Sequence, residues 1–124
     1  MGKEKEKFIS RTLGESVRHA CDGLKIIFQT QANIKIQGII AIIVMIMAYL
    51  LRVSKIELLF LVFTIFLVFL TEIINTAIEE VVNLYTEKYH EKAKTAKDIA
   101  AGAVIASSVC AIITGVIIFY DKIF

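Results

Sequence analysis

Residues 58–84 read LLFLVFTIFLVFLTEIINTAIEEVVNL. Positions 58–71 hold no charge, and then Glu72, Asn75, Glu79, Glu80 and Asn83 follow with no glycine or proline to stop a helix. An apolar run of this length reads as a membrane-spanning helix. The unbroken pattern beyond it predicts that the helix continues into water at one end. Upstream, residues 36–51 form a second apolar run. Sixteen residues rise only about 24 Å, short of a hydrocarbon core of about 30 Å. Extension to 34–53 covers the core, with Lys35 and Arg52 reaching outward. Downstream, residues 99–120 are free of charge and long enough to cross. The short charged segment 52–57 suits a turn between antiparallel helices.

Residues 4–29 have a different character. Ile9, Leu13, Val17, Cys21, Leu24 and Phe28 recur at three-or-four spacing, which predicts one amphipathic helix. Arg11, Arg18 and Lys25 lie seven apart and form a basic stripe, with Glu15 and Asp22 also on the polar side. Such a helix can lie in the membrane interface with its basic side toward headgroups. The plainer reading is a helix packed on protein, and the spans that follow favour the interface.

The composition fits this layout. Of 124 residues, 57% are hydrophobic and 21% charged, so the charges must be segregated along the chain. A net charge of +2 gives no footprint for a nucleic-acid partner. Cys21 and Cys110 lack CxxC spacing, so neither a zinc site nor a disulfide is expected. No cleavage site follows the first apolar run, so a removed signal peptide is not expected. Eleven of the 14 Lys and Arg residues fall before 36 or between 85 and 97. The positive-inside rule then places the N-terminus and that segment in the cytoplasm and the C-terminus outside. The expected organisation is a single all-α integral-membrane domain over 1–124. It has a surface helix at 4–29 and spans at 34–53, 57–84 and 98–120, the second extended into the cytoplasm.

Chemistry concentrates at one boundary. Glu72, Asn75 and Glu79 follow the i, i+3, i+7 spacing of one helix face. If the span starts at Leu58, Glu72 lies about 21 Å in and Glu79 about 31 Å in. A carboxylate at membrane depth costs on the order of 2.5–3.5 kcal/mol, which marks a functional candidate. Polar glue between helices is the bland alternative. The outer carboxylate can hold Mg²⁺ carrying a nucleotide's phosphates. The inner one can take a proton from a hydroxyl arriving from the lipid side. Tyr89, His90, Lys97 and Asp98 flank the entry to the last span, where a lysine can offset phosphate charge. Taken singly, Lys97 also reads as a membrane anchor and His90 as a solvated loop residue. The standard phosphate-loop, dinucleotide and zinc-protease motifs are absent from the sequence.

The segments Glu72-Ile-Ile-Asn75-Thr76-Ala77-Ile78-Glu79, Tyr89-His90 and Ala96-Lys97-Asp98-Ile99-Ala100-Ala101-Gly102-Ala103-Val104 resemble the prokaryotic diacylglycerol kinase family. Ala20-Cys21-Asp22-Gly23-Leu24-Lys25 resembles that family's N-terminal segment. The resemblance runs from about Ser16 to Phe119. It implies a surface helix plus three transmembrane helices, assembled as a homotrimer in the bacterial cytoplasmic membrane. It also implies Mg²⁺-dependent transfer of the ATP γ-phosphate to a lipid hydroxyl at a cytoplasmic active site.

By that resemblance Glu72 is the general base and Glu79 a metal ligand. His19, Asn75, Glu79, Lys88, Tyr89, His90, Lys97 and Asp98 meet ATP. Asn33 and Lys35 join Glu72 at the lipid. Two positions depart from the family pattern. Gln31 stands where an acid that serves the metal is usual, and Asn83 where Asp is frequent. Loss of a carboxylate at 31 implies weaker Mg²⁺ binding. A catalytically weak or silent member acting in membrane assembly or regulation is the second reading. Asn-Thr-Ala-Ile-Glu and Ala-Ala-Gly-Ala-Val resemble the branch associated with undecaprenol, which is favoured over diacylglycerol. Small residues at 100–103 and 106–108 permit close helix approach, within the chain or between subunits.

Overall fold

The computed structural model describes residues 2–9 and 12–124 and, of 6–9, the backbone alone. Among the described residues all regular structure is helical: α1 (Gly2–Ile9), α2 (Leu13–Thr30), α3 (Ala32–Leu50), α4 (Lys55–Tyr85) and α5 (Glu91–Ile123). Three of these, α3, α4 and α5, are long and apolar enough to cross a membrane. The chain divides into two compact units, Met1–Lys35 and Ile36–Phe124.

In the N-terminal unit the single helix expected over 4–29 is two. Thr12 is extended, with φ −73° and ψ 163°, and its Oγ1 accepts from the Glu15 N–H at 3.2 Å. That cap satisfies one of the free N–H groups of a first helical turn, so a helix begins anew at Leu13. The Ile9 side chain and Arg11 lie outside the described residues. On α2, Leu13, Val17, Leu24 and Phe28 are exposed, and so are Arg18 and Lys25. At its far end the Gln31 N–H returns to the Ile27 carbonyl at 2.9 Å and closes the helix.

The second unit begins at Ile36 on α3. Arg52 adopts φ 54°, the left-handed conformation. Its N–H meets the Tyr49 carbonyl at 3.3 Å, and the Val53 N–H meets that of Ala48 at 3.2 Å. This paired closure ends a helix while satisfying its last carbonyls. Val53 then packs on the cluster of Ala48, Leu61 and Ile118. Ser54 starts α4 with a capping box: its Oγ accepts from the Glu57 N–H, and Glu57 accepts from the Ser54 N–H.

Helices α4 and α5 run antiparallel, and three polar links fix their register. Glu57 meets Lys122 at 3.2 Å, Thr71 meets Ser107 at 2.7 Å, and Asn83 meets Lys97 at 2.8 Å. Helix α5 begins at Glu91, before the expected 98. Glu91 in the first turn, alanines at 93 and 96, and the i, i+4 pair Lys94–Asp98 all favour helix there.

Burial is inverted relative to a water-soluble domain. Most large apolar side chains face outward, including Ile39, Ile43, Phe63, Phe66, Ile112 and Ile117. The buried residues include Thr64, Glu72, Asn75, Thr76 and Ser107. Lipid is a good solvent for isoleucine and a poor one for carboxylates and amides, so the polar groups turn inward.

Candidate active site

Glu72 is 4% exposed and Asn75 8%, while Glu79 is half-buried. Thr76 donates its hydroxyl to the Glu72 carbonyl at 3.0 Å, so the threonine is satisfied within its own helix. Asn75 Nδ2 donates to Glu79 Oε1 at 3.4 Å. The Asn75 Oδ1 atom is buried and has no hydrogen-bond partner among the described residues. No cation or donor meets the Glu72 carboxylate among the described residues. A buried amide oxygen left with no donor carries a stability cost.

Just beyond this face, the turn between α4 and α5 builds a basic depression. Thr86 fixes the turn: its Oγ1 accepts from the Lys88 N–H at 3.1 Å and donates to the Lys88 carbonyl at 3.2 Å. The Tyr85 ring meets the His90 ring edge-on, with centroids 5.7 Å apart. A cavity of about 220 Å³ opens here, lined by Lys88, Tyr89, His90, Lys94, Lys97 and Asp98 among others. Five of these were expected from the sequence at a nucleotide. The structure therefore brings Lys88, Tyr89, His90, Lys97 and Asp98 to one place, with Asn75 and Glu79 lower on α4.

Lys94 is the residue that sequence reasoning missed. Its Nζ lies 2.6 Å from Asp98 Oδ2, so the carboxylate expected at the nucleotide is already paired. The i, i+4 spacing of Lys94 and Asp98 was the available signal. Asn83, noted for departing from the family pattern, receives the Lys97 ammonium and so holds it at the rim.

The remaining expected site residues lie in the N-terminal unit. His19 is half-buried on α2, Gln31 is half-buried at the end of α2, and Asn33 and Lys35 are exposed on the first turn of α3.

For a divalent cation, no group of three His, Cys, Asp or Glu residues converges among the described residues. Mg²⁺ is ordinarily held by one or two carboxylates, with waters and substrate phosphates completing the shell. Glu79, half-buried, offers one carboxylate of that set, while the Asn75 amide turns its Nδ2 to Glu79 and its Oδ1 away from it.

A further cavity of about 390 Å³ lies between α3, α4 and α5. Gln37, Val68, Phe69 and Ser108 line one end, at the level of the Thr71–Ser107 contact. Leu61, Met47 and Phe119 line the other. The Gln37 Oε1 atom is buried without a partner. The rest of the lining is nearly all carbon.

An integral-membrane helical protein with acidic and amide groups inside and a basic rim at one end is the class that fold and site define. Comparison narrows it: the chain belongs to the prokaryotic diacylglycerol kinase family, whose sequence model matches residues 18–119. Among curated proteins it is 52% identical over 52 residues to an undecaprenol kinase of Bacillus subtilis, covering 42% of this chain and 42% of that protein. It is 42% identical over 101 residues to a diacylglycerol kinase of Synechocystis, covering 81% of this chain and 58% of that protein. The matched stretches thus span about half the length of these relatives.

Proposed function

We propose that this protein is a lipid kinase that transfers the γ-phosphate of ATP to the hydroxyl of a membrane lipid, with undecaprenol preferred to diacylglycerol. The observation that carries the reading is Glu72, 4% exposed on α4 with no ion-pair partner among the described residues, on the same helix whose end forms a basic rim. Family membership and the two kinase relatives support it.

The chemistry follows from the residues. A lipid hydroxyl approaching from the bilayer meets Glu72, which takes its proton as the oxygen attacks the γ-phosphorus and the bond from phosphorus to the β,γ-bridging oxygen breaks, releasing ADP. Glu79 would hold Mg²⁺. Such an ion would supply positive charge against the nucleotide's phosphates. Lys97, kept at the rim by Asn83, offsets charge on the nucleotide's phosphates, Lys88 adds positive charge to the same depression, and His90 offers a ring nitrogen for a hydrogen bond. Tyr89 offers a ring for the base. The 220 Å³ depression is smaller than the roughly 300 Å³ at which small-molecule sites begin, so a full nucleotide needs further walls. A homotrimer would supply them from a second copy.

The preference for undecaprenol rests on the second cavity. A prenol brings one polar group, its hydroxyl, and a hydrocarbon chain. A diacylglycerol brings two ester groups close to its hydroxyl, and their oxygens need donors, of which this lining offers few beyond Gln37, Thr64 and Ser108. The basic segments before α3 and between α4 and α5 orient the site toward the cytoplasm.

The test is γ-phosphate transfer by the purified protein in lipid, with undecaprenol and diacylglycerol side by side. Phosphorylation of undecaprenol at the higher kcat/KM is expected. Transfer to diacylglycerol alone overturns the lipid preference. Intact, folded protein with no transfer to either lipid, and no Mg-ATP binding, leaves the silent membrane partner as the correct reading.

A further inference from the structure

The interface between α4 and α5 is smooth where the active site needs it to be definite. Toward the Glu72 end its buried side chains include Thr76, Ala100 and Ser107, which are small, and the larger Leu61 and Ile118 pack toward the other end. Surfaces of this kind let helices approach closely but offer few large knobs to lock an axial position. Register then depends on the three polar links. Two of them, Glu57–Lys122 and Asn83–Lys97, sit at the ends and use lysine. A lysine on its four-carbon stem can follow a helix through several ångströms of sliding.

The middle link differs. Thr71 Oγ1 and Ser107 Oγ are 2.7 Å apart, and each oxygen is one bond from its Cβ. Such a contact forms at one axial offset and one rotation only. The hydroxyls also reach their own helices: Thr71 to the Val68 carbonyl at 3.0 Å, and Ser107 to the Val104 carbonyl at 2.9 Å. Two protons therefore serve three contacts. One hydroxyl gives its proton to its own carbonyl, and the other gives its proton across the interface. Ser107 is 5% exposed, so water does not compete for the pair.

Glu72 is the next residue after Thr71. We propose that the Thr71–Ser107 hydroxyl pair is a register pin that holds Glu72 at its working depth, and that both are positioning residues for the transfer. The inference rests on the reading of Glu72 as the base. A base must meet its proton at hydrogen-bond distance, and a displacement of about 1 Å can cost on the order of 100-fold in rate. A slide of one residue along α4 would move the carboxylate by about 1.5 Å. Neither end link would resist it.

The experiment measures kcat, KM for ATP and thermal unfolding of the full-length protein in lipid. Ser107→Ala and Thr71→Val are each expected to lower kcat by roughly 10- to 100-fold with KM for ATP within about twofold. Thr71→Ser keeps the hydroxyl and is expected to restore kcat to within about threefold of the parent. The double variant Thr71→Val/Ser107→Ala is expected to be no slower than the worse single variant, because the pair acts as one unit. Unchanged kcat in Ser107→Ala overturns the proposal, as does a loss that only follows the fraction unfolded, or single effects that multiply in the double variant. Should Ser107→Ala fail to fold, Thr71→Val against Thr71→Ser makes the same comparison. Glu72→Gln run alongside separates the two ideas. If it stays active, the assignment of the base falls and the pin with it. If it is dead while Ser107→Ala is fully active, the pin alone is wrong.

Discussion

Lys97 Nζ stands 2.8 Å from Asn83 Oδ1, joining the entry of α5 to the last turns of α4. The bond is exposed and its acceptor is neutral, so it steers the ammonium without cancelling its charge. The charge matters more than the tether. Lys97→Met is expected to lower kcat/KM for ATP by about 100- to 1,000-fold, the scale of losing one preorganised charge donor. Asn83→Ala is expected to cost less than about tenfold, since a neutral exposed hydrogen bond contributes little. Steady-state kinetics at saturating lipid checks both, and equal losses in the two variants would refute the distinction.

Glu72→Gln keeps the shape and removes the base. The expected result is a fall in kcat of about 100- to 10,000-fold with Mg-ATP affinity unchanged. The variant should also keep the parent's heat stability, because the amide has the carboxylate's shape and the change breaks no ion pair or hydrogen bond. Nucleotide titration and thermal unfolding, read beside turnover, test the three statements together.

Gln31→Glu adds a carboxylate at the position where the family pattern has an acid. Mg²⁺ favours carboxylate oxygen over amide oxygen. Half-maximal activity should therefore move to a Mg²⁺ concentration severalfold lower, which a metal titration at fixed ATP will show. An unchanged titration would remove position 31 from the metal's surroundings.

Arg52 holds a left-handed conformation that costs a side-chain-bearing residue on the order of 1 kcal/mol. Arg52→Gly is expected to stabilise the protein by up to that amount in detergent. Arg52→Ile, with a β-branched side chain, is expected to destabilise it by more. The order of the three unfolding midpoints is the check, and a glycine variant below the parent contradicts the account of the turn.

Much of this molecule is legible along the chain. The apolar runs announce three spans because lipid selects for length and hydropathy, both of which are local properties. Ser54 and Glu57 announce the start of α4, because a capping box is made within four residues. The spacing of Glu72, Asn75 and Glu79 announces a shared face for the same reason. The break at Thr12 is harder to read. The apolar periodicity runs through it, and only the extended backbone shows that a cap has interrupted the helix. The i, i+4 spacing of Lys94 and Asp98 permits an ion pair, and the folded turn decides that Asp98 spends its charge on it.

By itself, then, the sequence determined what each segment is: which helices cross, where the charges gather, and which residue types can do phosphoryl chemistry. The tertiary structure alone decided who meets whom. Thr71 and Ser107 are 36 positions apart, and no periodicity within either helix relates them. Their contact, the capture of Lys97 by Asn83 and the orphaned oxygens of Asn75 and Gln37 depend on the offset between helices. That offset is set by short side chains reaching across an interface, and it is a property of the pair.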